Sequence, residues 1–395
     1  MIRPAYFVKL TPLYIVLSLF LVALSVPLKL LGKSHTDFLI FLVFPVLIKG
    51  TLFQLYPTLQ GIPLRGSAIP YLHFLLVLLN LLYWLFRNSV EPVLYTLENL
   101  LFLLFIFLNT RRLSDPSVAF LFVGSLYILP ASMLVYVGSE TLLTKHVLTL
   151  GFFLNVIIGS YYIFVPMLQL EELWAPKLRW LNLLLHNLSS ALVLYGFYMR
   201  NYSLVAYGGI GVLVSLFLLS LILYKTLSKR RSPLKGLDPS VKLLLLGLFL
   251  LIAFLSLGVA SAGTQNFGFI NFHREGMLYG FLTFITVGAS YHILPFMLWW
   301  KLYAPRMGRE KIPTLKELLK PEVIEAFLMV ALPSLLFYLL LELFNTALAN
   351  IFLTALSLSI LYYTLKLVPL SLRALGKPAG SGFFTKETSK QAKGT

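Results

Sequence analysis

His273-Arg274-Glu275-Gly276-Met277-Leu278-Tyr279-Gly280-Phe281-Leu282-Thr283-Phe284-Ile285-Thr286-Val287-Gly288-Ala289-Ser290-Tyr291-His292-Ile293-Leu294-Pro295 decides how the chain is read. The stretch is apolar enough to cross a membrane and carries a histidine near each end. Its glycines at 280 and 288 let a neighbouring helix or a flat cofactor come close. The skeleton Gly-x7-Gly-x2-Tyr-x3-Pro occurs earlier as Gly151, Gly159, Tyr162 and Pro166, with His146 just upstream. A fainter copy is Gly50, Phe53 and Pro57, with His35 upstream. His35 and His273 each lie 15 residues before their glycine (Gly50, Gly288), and His146 lies 13 before Gly159. Three related helices, each with a histidine near the same membrane face, are therefore expected.

Composition bounds the class. The 395 residues are 58% hydrophobic and only 12% charged, with a mean hydropathy of +0.86. Those values belong to a polytopic helical membrane protein, with the lipid bilayer as its main partner. The net charge of +17 does not imply nucleic acid, because the cations fall between apolar runs. With no cysteine, disulfides, zinc–thiolate sites, iron–sulfur clusters and covalent haem attachment are excluded. Ligation of a metal or haem falls to the six histidines, with Met, Tyr or carboxylate behind them.

Twelve spans are expected, at about 10–31, 36–57, 68–87, 91–110, 117–138, 142–169, 178–200, 202–227, 240–263, 269–300, 321–344 and 347–370. The first is read as a membrane span, not a cleavable signal. One face collects 25 of the 32 lysines and arginines; six fall on the other, and Lys49 lies within a span. By the positive-inside rule both termini are cytoplasmic. Residues 1–376 form one membrane domain, and 377–395 a flexible cytoplasmic tail. Asn345 to Asn350 is the expected turn between the last two spans. Gly208-Gly209-x-Gly211 lacks the strand–turn–helix setting of a nucleotide fingerprint and reads as helix packing.

The histidines sort by depth. His35, His146 and His273 form an outer trio at the ends of the second, sixth and tenth spans. His73, His186 and His292 form an inner trio, roughly 8–13 Å from the inner boundary. Two histidines from different helices can sandwich a haem, and neutral imidazole also binds copper or zinc. A single membrane histidine can equally do no more than bond a neighbouring helix. Lys145 and Arg274, beside outer histidines, are candidate partners for haem propionates or plain interfacial anchors. Lys49 is expected to snorkel or to pair with a carboxylate. Glu98 and Glu342 are candidate members of a proton path.

In these features the chain resembles the catalytic subunit of the haem–copper oxidase superfamily, more closely its divergent oxidase-subunit-I-like and NnrS-like members. His273, Gly288, His292 and Pro295 resemble the family's His…Gly…His-x-x-Pro helix. His35, Pro45, Gly50 and Pro57 resemble its haem-ligand helix, with the histidine offset by about one residue. The resemblance implies twelve helices in three pseudo-equivalent groups of four, metal ligands on the second, sixth and tenth, and cytoplasmic termini. The departures are specific. His273-Arg274-Glu275 stands where the family has His-x-His. The sixth span lacks His-x-x-x-Tyr, and the seventh lacks an adjacent His-His.

The expected function is a b-type haem protein of the cell (inner) membrane, engaged in electron transfer or in quinone, nitric oxide or oxygen chemistry. One haem b is expected on two of His35, His146 and His273, and a second haem or metal on two or more of His73, His186 and His292. Metal ligation centres on His146, His273, His186 and His292. A quinone or cytochrome is the expected redox partner, and a homo-oligomer is compatible. The alternatives are a catalytic haem–copper or nitric-oxide-handling oxidoreductase, which needs a second metal, copper or non-haem iron, beside its haem, and a non-haem transporter.

Overall fold

Asp-Pro pairs open two of the helices, and their geometry shows how the chain starts a span. Asp115 accepts a hydrogen bond from the Ser117 amide at 2.7 Å, and Asp238 one from the Ser240 amide at 2.8 Å. Pro116 and Pro239 follow at the first helical position, where no amide hydrogen is needed. The four-residue signal Asp-Pro-Ser-Val recurs at 115–118 and 238–241.

The computed structural model describes residues 8–138, 142–229, 236–344 and 346–376. The expected tail and Asn345 lie outside the described residues. All regular structure among the described residues is helical. Helices occupy all twelve expected intervals: α1 Thr11–Leu30, α2 His35–Gln60, α3 Ile69–Arg87, α4 Pro92–Leu108, α5 Pro116–Tyr136, α6 Leu142–Gln169, α7 Leu178–Tyr198, α8 Tyr202–Ser228, α9 Pro239–Thr264, α10 Ile270–Leu302, α11 Pro321–Leu343 and α12 Leu348–Leu375. Ten of them are long and apolar enough to cross a membrane, so the protein is polytopic. The other two are α4, apolar but 17 residues long, and α7, 21 residues long but interrupted by Asn182, His186 and Asn187.

The helices pack in a threefold pattern. Each of α2, α6 and α10 lies against the first and fourth helices of its own run of four, and against the first helix of the next run. Contacts α4–α5, α8–α9 and α12–α1 close the outer ring. Helices α3, α7 and α11 each pair with the helix that follows. On the axis between α2, α6 and α10 lies an apolar cavity of about 90 Å³. Its walls repeat in register. Leu47, Ile48, Thr51, Leu52 and Leu55 of α2 match Val156, Ile157, Ser160, Tyr161 and Phe164 of α6, and Ile285, Thr286, Ala289, Ser290 and Ile293 of α10. Counted from Gly50, Gly159 and Gly288, these are the same five positions in all three helices.

Each inner helix also contains a π-helical turn, at Phe38–Val43, Val147–Phe153 and Gly276–Leu282. All three begin 12 residues before the register glycine. A π-turn inserts a residue and turns what precedes it about the helix axis. The glycines serve close packing. A Cβ on Gly50 would overlap the Tyr14 side chain of α1. On Gly159 it would lie 2.8 Å from the Ser117 carbonyl of α5, and on Gly288 2.9 Å from Leu243 Cβ of α9. Of the two uses expected for these small residues, room for a neighbouring helix is the one built. The glycine two turns earlier in the skeleton is filled as well, Gly151 by the Tyr127 ring.

A Gly50→Ala variant should therefore lose about 1–3 kcal/mol through overpacking. Gly263→Ala is the control, because its Cβ would meet only Ala206 Cβ, at 3.5 Å. Unfolding of both variants in detergent checks this; equal midpoints would refute the tight α1–α2 contact.

Candidate functional site

The residue just before each π-turn is Asp37 in α2, His146 in α6 and Glu275 in α10. All three stand 13 residues before the register glycine, and His35, Thr144 and His273 stand 15 before it. These outer ends meet around the ring. His35 Nε2 lies 3.1 Å from Glu275 Oε1, joining α2 to α10. Lys145 Nζ lies 2.7 Å from Asp37 Oδ1, joining α6 to α2. At the remaining junction, α10 to α6, His273 stands close enough to His146 for charge on one to act on the other. Two junctions are thus closed by a carboxylate and a cation or imidazole, and the third offers two imidazoles.

Glu275 is the hub of the first junction. It is fully buried. Lys29 Nζ of α1 stands 3.1 Å from Oε2, and Arg274 3.0 Å from Oε1. Lys29 also bonds the Tyr338 hydroxyl of α11. The ring of His35 stacks on Tyr279 at 6.2 Å between centroids, and the Tyr279 hydroxyl is 3.0 Å from Ser25 Oγ. A carboxylate buried at this depth is tolerable only because cations and an imidazole surround it. The cluster clasps α1, α2, α10 and α11.

The two remaining outer histidines share another property. His146 Nδ1 is 2.7 Å from the Leu142 carbonyl, and His273 Nδ1 is 2.9 Å from the Phe254 carbonyl. A carbonyl oxygen only accepts, so Nδ1 carries the hydrogen in both rings and Nε2 keeps its lone pair. A backbone acceptor on Nδ1 is the support that metal-bound histidines use to fix tautomer and orientation. The His146 ring rests on Phe197 at 4.3 Å, and His273 packs against Gly258 of α9.

Several expected site residues have other partners. His35 gives its Nε2 to Glu275, which leaves Nδ1 as its one ring nitrogen for the expected ligand role. Lys145 and Arg274, candidates for haem propionates or for interfacial anchors, are held by Asp37 and Glu275. The inner trio is spread over the three runs of four. His73 in α3 has Nδ1 2.8 Å from the Tyr14 hydroxyl. His186 in α7 has Nε2 3.1 Å from the Leu150 carbonyl. His292 in α10 stacks on Phe296 at 5.7 Å. No hydrogen bond or ring contact joins any two of these three among the described residues. Nor do three or more His, Asp or Glu side chains converge there as a metal cage. Lys49 does pair with a carboxylate: its Nζ is 3.0 Å from Glu98 Oε1.

Reasoning from the sequence placed the histidines but missed Glu275, Lys29 and Asp37 as their neighbours. The signal was present, since Asp37 and Glu275 occupy the same register as His146.

No family model matches the chain. A curated relative, an uncharacterized protein of Aquifex aeolicus (strain VF5), is 29% identical over 312 residues. That alignment covers 75% of this chain and 81% of the relative.

Proposed function

We propose that this protein is a b-type haem protein on a twelve-helix, oxidase-like scaffold in the cell membrane, with both termini cytoplasmic. The observation that carries the reading is the third junction of the outer ring. There His146 and His273 stand within electrostatic range of one another, each with Nδ1–H held by a carbonyl, which leaves Nε2 as the ligand atom. Their donor chemistry fits an iron centre through Nε2, while His35, with its Nε2 on Glu275, offers only Nδ1. A bound haem supplies one-electron chemistry, for transfer to a quinone or cytochrome or for work on a small molecule such as nitric oxide or oxygen. The chain's own part is to hold the two imidazoles still. The Asp37–Lys145 and His35–Glu275 contacts fix the outer ends of α2, α6 and α10, and the π-turns aim the residues just before them.

The test is a reduced-minus-oxidised visible spectrum of the purified protein, with metal analysis of the same sample. Haem content should fall to background in His146→Ala/His273→Ala and persist in His35→Ala. Full haem occupancy in the double variant would falsify the assignment. Copper or non-haem iron alongside haem would move the reading to a catalytic centre.

A second reading, a transporter with incidental histidines, is favoured by one observation. Lys49 and Glu98 form an ion pair with no solvent exposure inside the apolar part of the molecule. Colourless, metal-free protein would select it.

A further inference from the structure

A recess of about 510 Å³ lies among the end of α2, the α4–α5 connection, the last turns of α6 and the start of α7. It is at the opposite ends of α2 and α6 from the histidine junction, on the face that collects most of the lysines and arginines. Gln60, buried at the last position of α2, clamps the connection. Its Nε2 donates to the Arg112 carbonyl and its Oε1 accepts from the Arg112 amide, both at 3.1 Å. The Arg111 amide adds a third bond, to Oε1 at 3.1 Å. The backbone of Arg112 is thus fixed, while its guanidinium has no hydrogen bond or ion pair among the described residues.

Arg179 of α7 is the second cation of the recess. Its Nη1 reaches Asp115 Oδ1 at 3.1 Å and Ser117 Oγ at 2.6 Å, and its Nε donates to the Pro176 carbonyl at 3.0 Å. Nη2 keeps both of its hydrogens for another acceptor. Tyr162 of α6 adds a neutral donor. It is buried and lines the recess. Its hydroxyl accepts from Asn182 Nδ2 at 2.7 Å, and Asn182 is held in turn by Ser215 at 2.7 Å. An amide nitrogen only donates, so the hydroxyl hydrogen of Tyr162 is left over. Tyr291, its counterpart three residues after the register glycine, gives that hydrogen to the Leu319 carbonyl at 3.2 Å. Tyr162 has no such acceptor among the described residues, and Arg179 stands close enough for its charge to act on it.

The lining holds two guanidinium groups against one carboxylate, a net charge of +1. Asp115 is already engaged by Arg179 and by the Ser117 amide. What remains unmet is donor capacity with one positive charge, beside an apolar wall of Leu59, Val118 and Ile163. Guanidinium groups recognise phosphate oxygens through paired donors, and the positive end of α5 favours an anion in the same place. We propose that the recess binds a phosphodiester anion, the group a phospholipid carries in its headgroup and a glycerophosphodiester carries free in solution. Arg112 and Arg179 Nη2 pair with its non-bridging oxygens, Tyr162 donates to one of them, and the glycerol stem lies on the apolar wall. The single charge of a phosphodiester matches that of the lining. The inference does not rest on haem.

Native mass spectrometry of the full chain in detergent, titrated with dioleoylphosphatidylglycerol or with soluble glycerophosphoglycerol, tests it. One ligand per chain should be retained. Arg112→Gln should weaken its retention about tenfold or more, the worth of a hydrogen bond to a charged group. Arg112 is exposed, so its replacement leaves the packing intact. Tyr162→Phe should weaken retention less, having removed a neutral donor. Arg65→Gln should leave it unchanged, because Arg65 is exposed and belongs to the same face without lining the recess. Equal losses in Arg112→Gln and Arg65→Gln would show attraction by surface charge alone and overturn the proposal. Retention of neither compound would overturn it too. Lipid that the soluble diester does not displace assigns the site to a membrane headgroup; displacement at equal concentration assigns it to a free phosphodiester.

Discussion

Lys49→Met should destabilise the protein by about 3–5 kcal/mol, while Lys49→Met/Glu98→Gln should lie close to the parent. The asymmetry follows from burial. Both side chains of the pair are wholly shielded from solvent. Their mutual attraction offsets the desolvation of each, so removing one leaves the other charge bare in an apolar surround. Glu98 then has to take a proton or draw in water, and either response loosens the packing of α2 on α4. Removing both charges removes the need for either partner, and Asn99 keeps its bond to Ser132. Denaturant midpoints of the parent, the single variant and the double variant form the measurement. If the double variant were as weak as the single one, the pair would be acting through shape and not through charge.

Glu275→Gln should cost about 2–5 kcal/mol. The amide is nearly isosteric, so the loss measures charge. Lys29, 17% exposed at its side chain, keeps little access to water and loses its counter-ion. His35 loses the carboxylate that bonds its Nε2. Because the cluster ties α1, α2, α10 and α11, faster proteolysis at the outer ends of these helices should accompany the lower midpoint. Arg274→Gln is the internal comparison. Its side chain is 42% exposed, so the pair with Glu275 is screened and its loss should stay within about 1 kcal/mol. Equal effects of the two variants would argue against Glu275 as the hub.

Much of the architecture was legible in the linear pattern because membrane spans are written in hydropathy, which survives without knowledge of neighbours. The register of α2, α6 and α10 was legible too. Gly50, Gly159 and Gly288 mark the same contact with the first helix of each run, and one face of each helix lines one cavity. The uses of the side chains were harder to read. A glycine spacing that admits a cofactor is the same spacing that admits Tyr14 or Tyr127, and only the neighbour decides. His35 looked like its counterparts because a sequence cannot show that Glu275 arrives across the ring. Lys49 and Glu98 stood out as costly charges, but their pairing depends on the rotation of α2 against α4. The π-turns leave no compositional mark, since each is one extra residue in an otherwise apolar helix.

The placement of those extra residues gives the molecule a threefold irregularity to match its threefold packing. Each inner helix carries its insertion 12 residues before the same glycine, so Asp37, His146 and Glu275 leave the same point of the backbone in each run of four. The backbone repeats across the three runs where the side chains do not: one framework presents an aspartate, a histidine and a glutamate from equivalent positions.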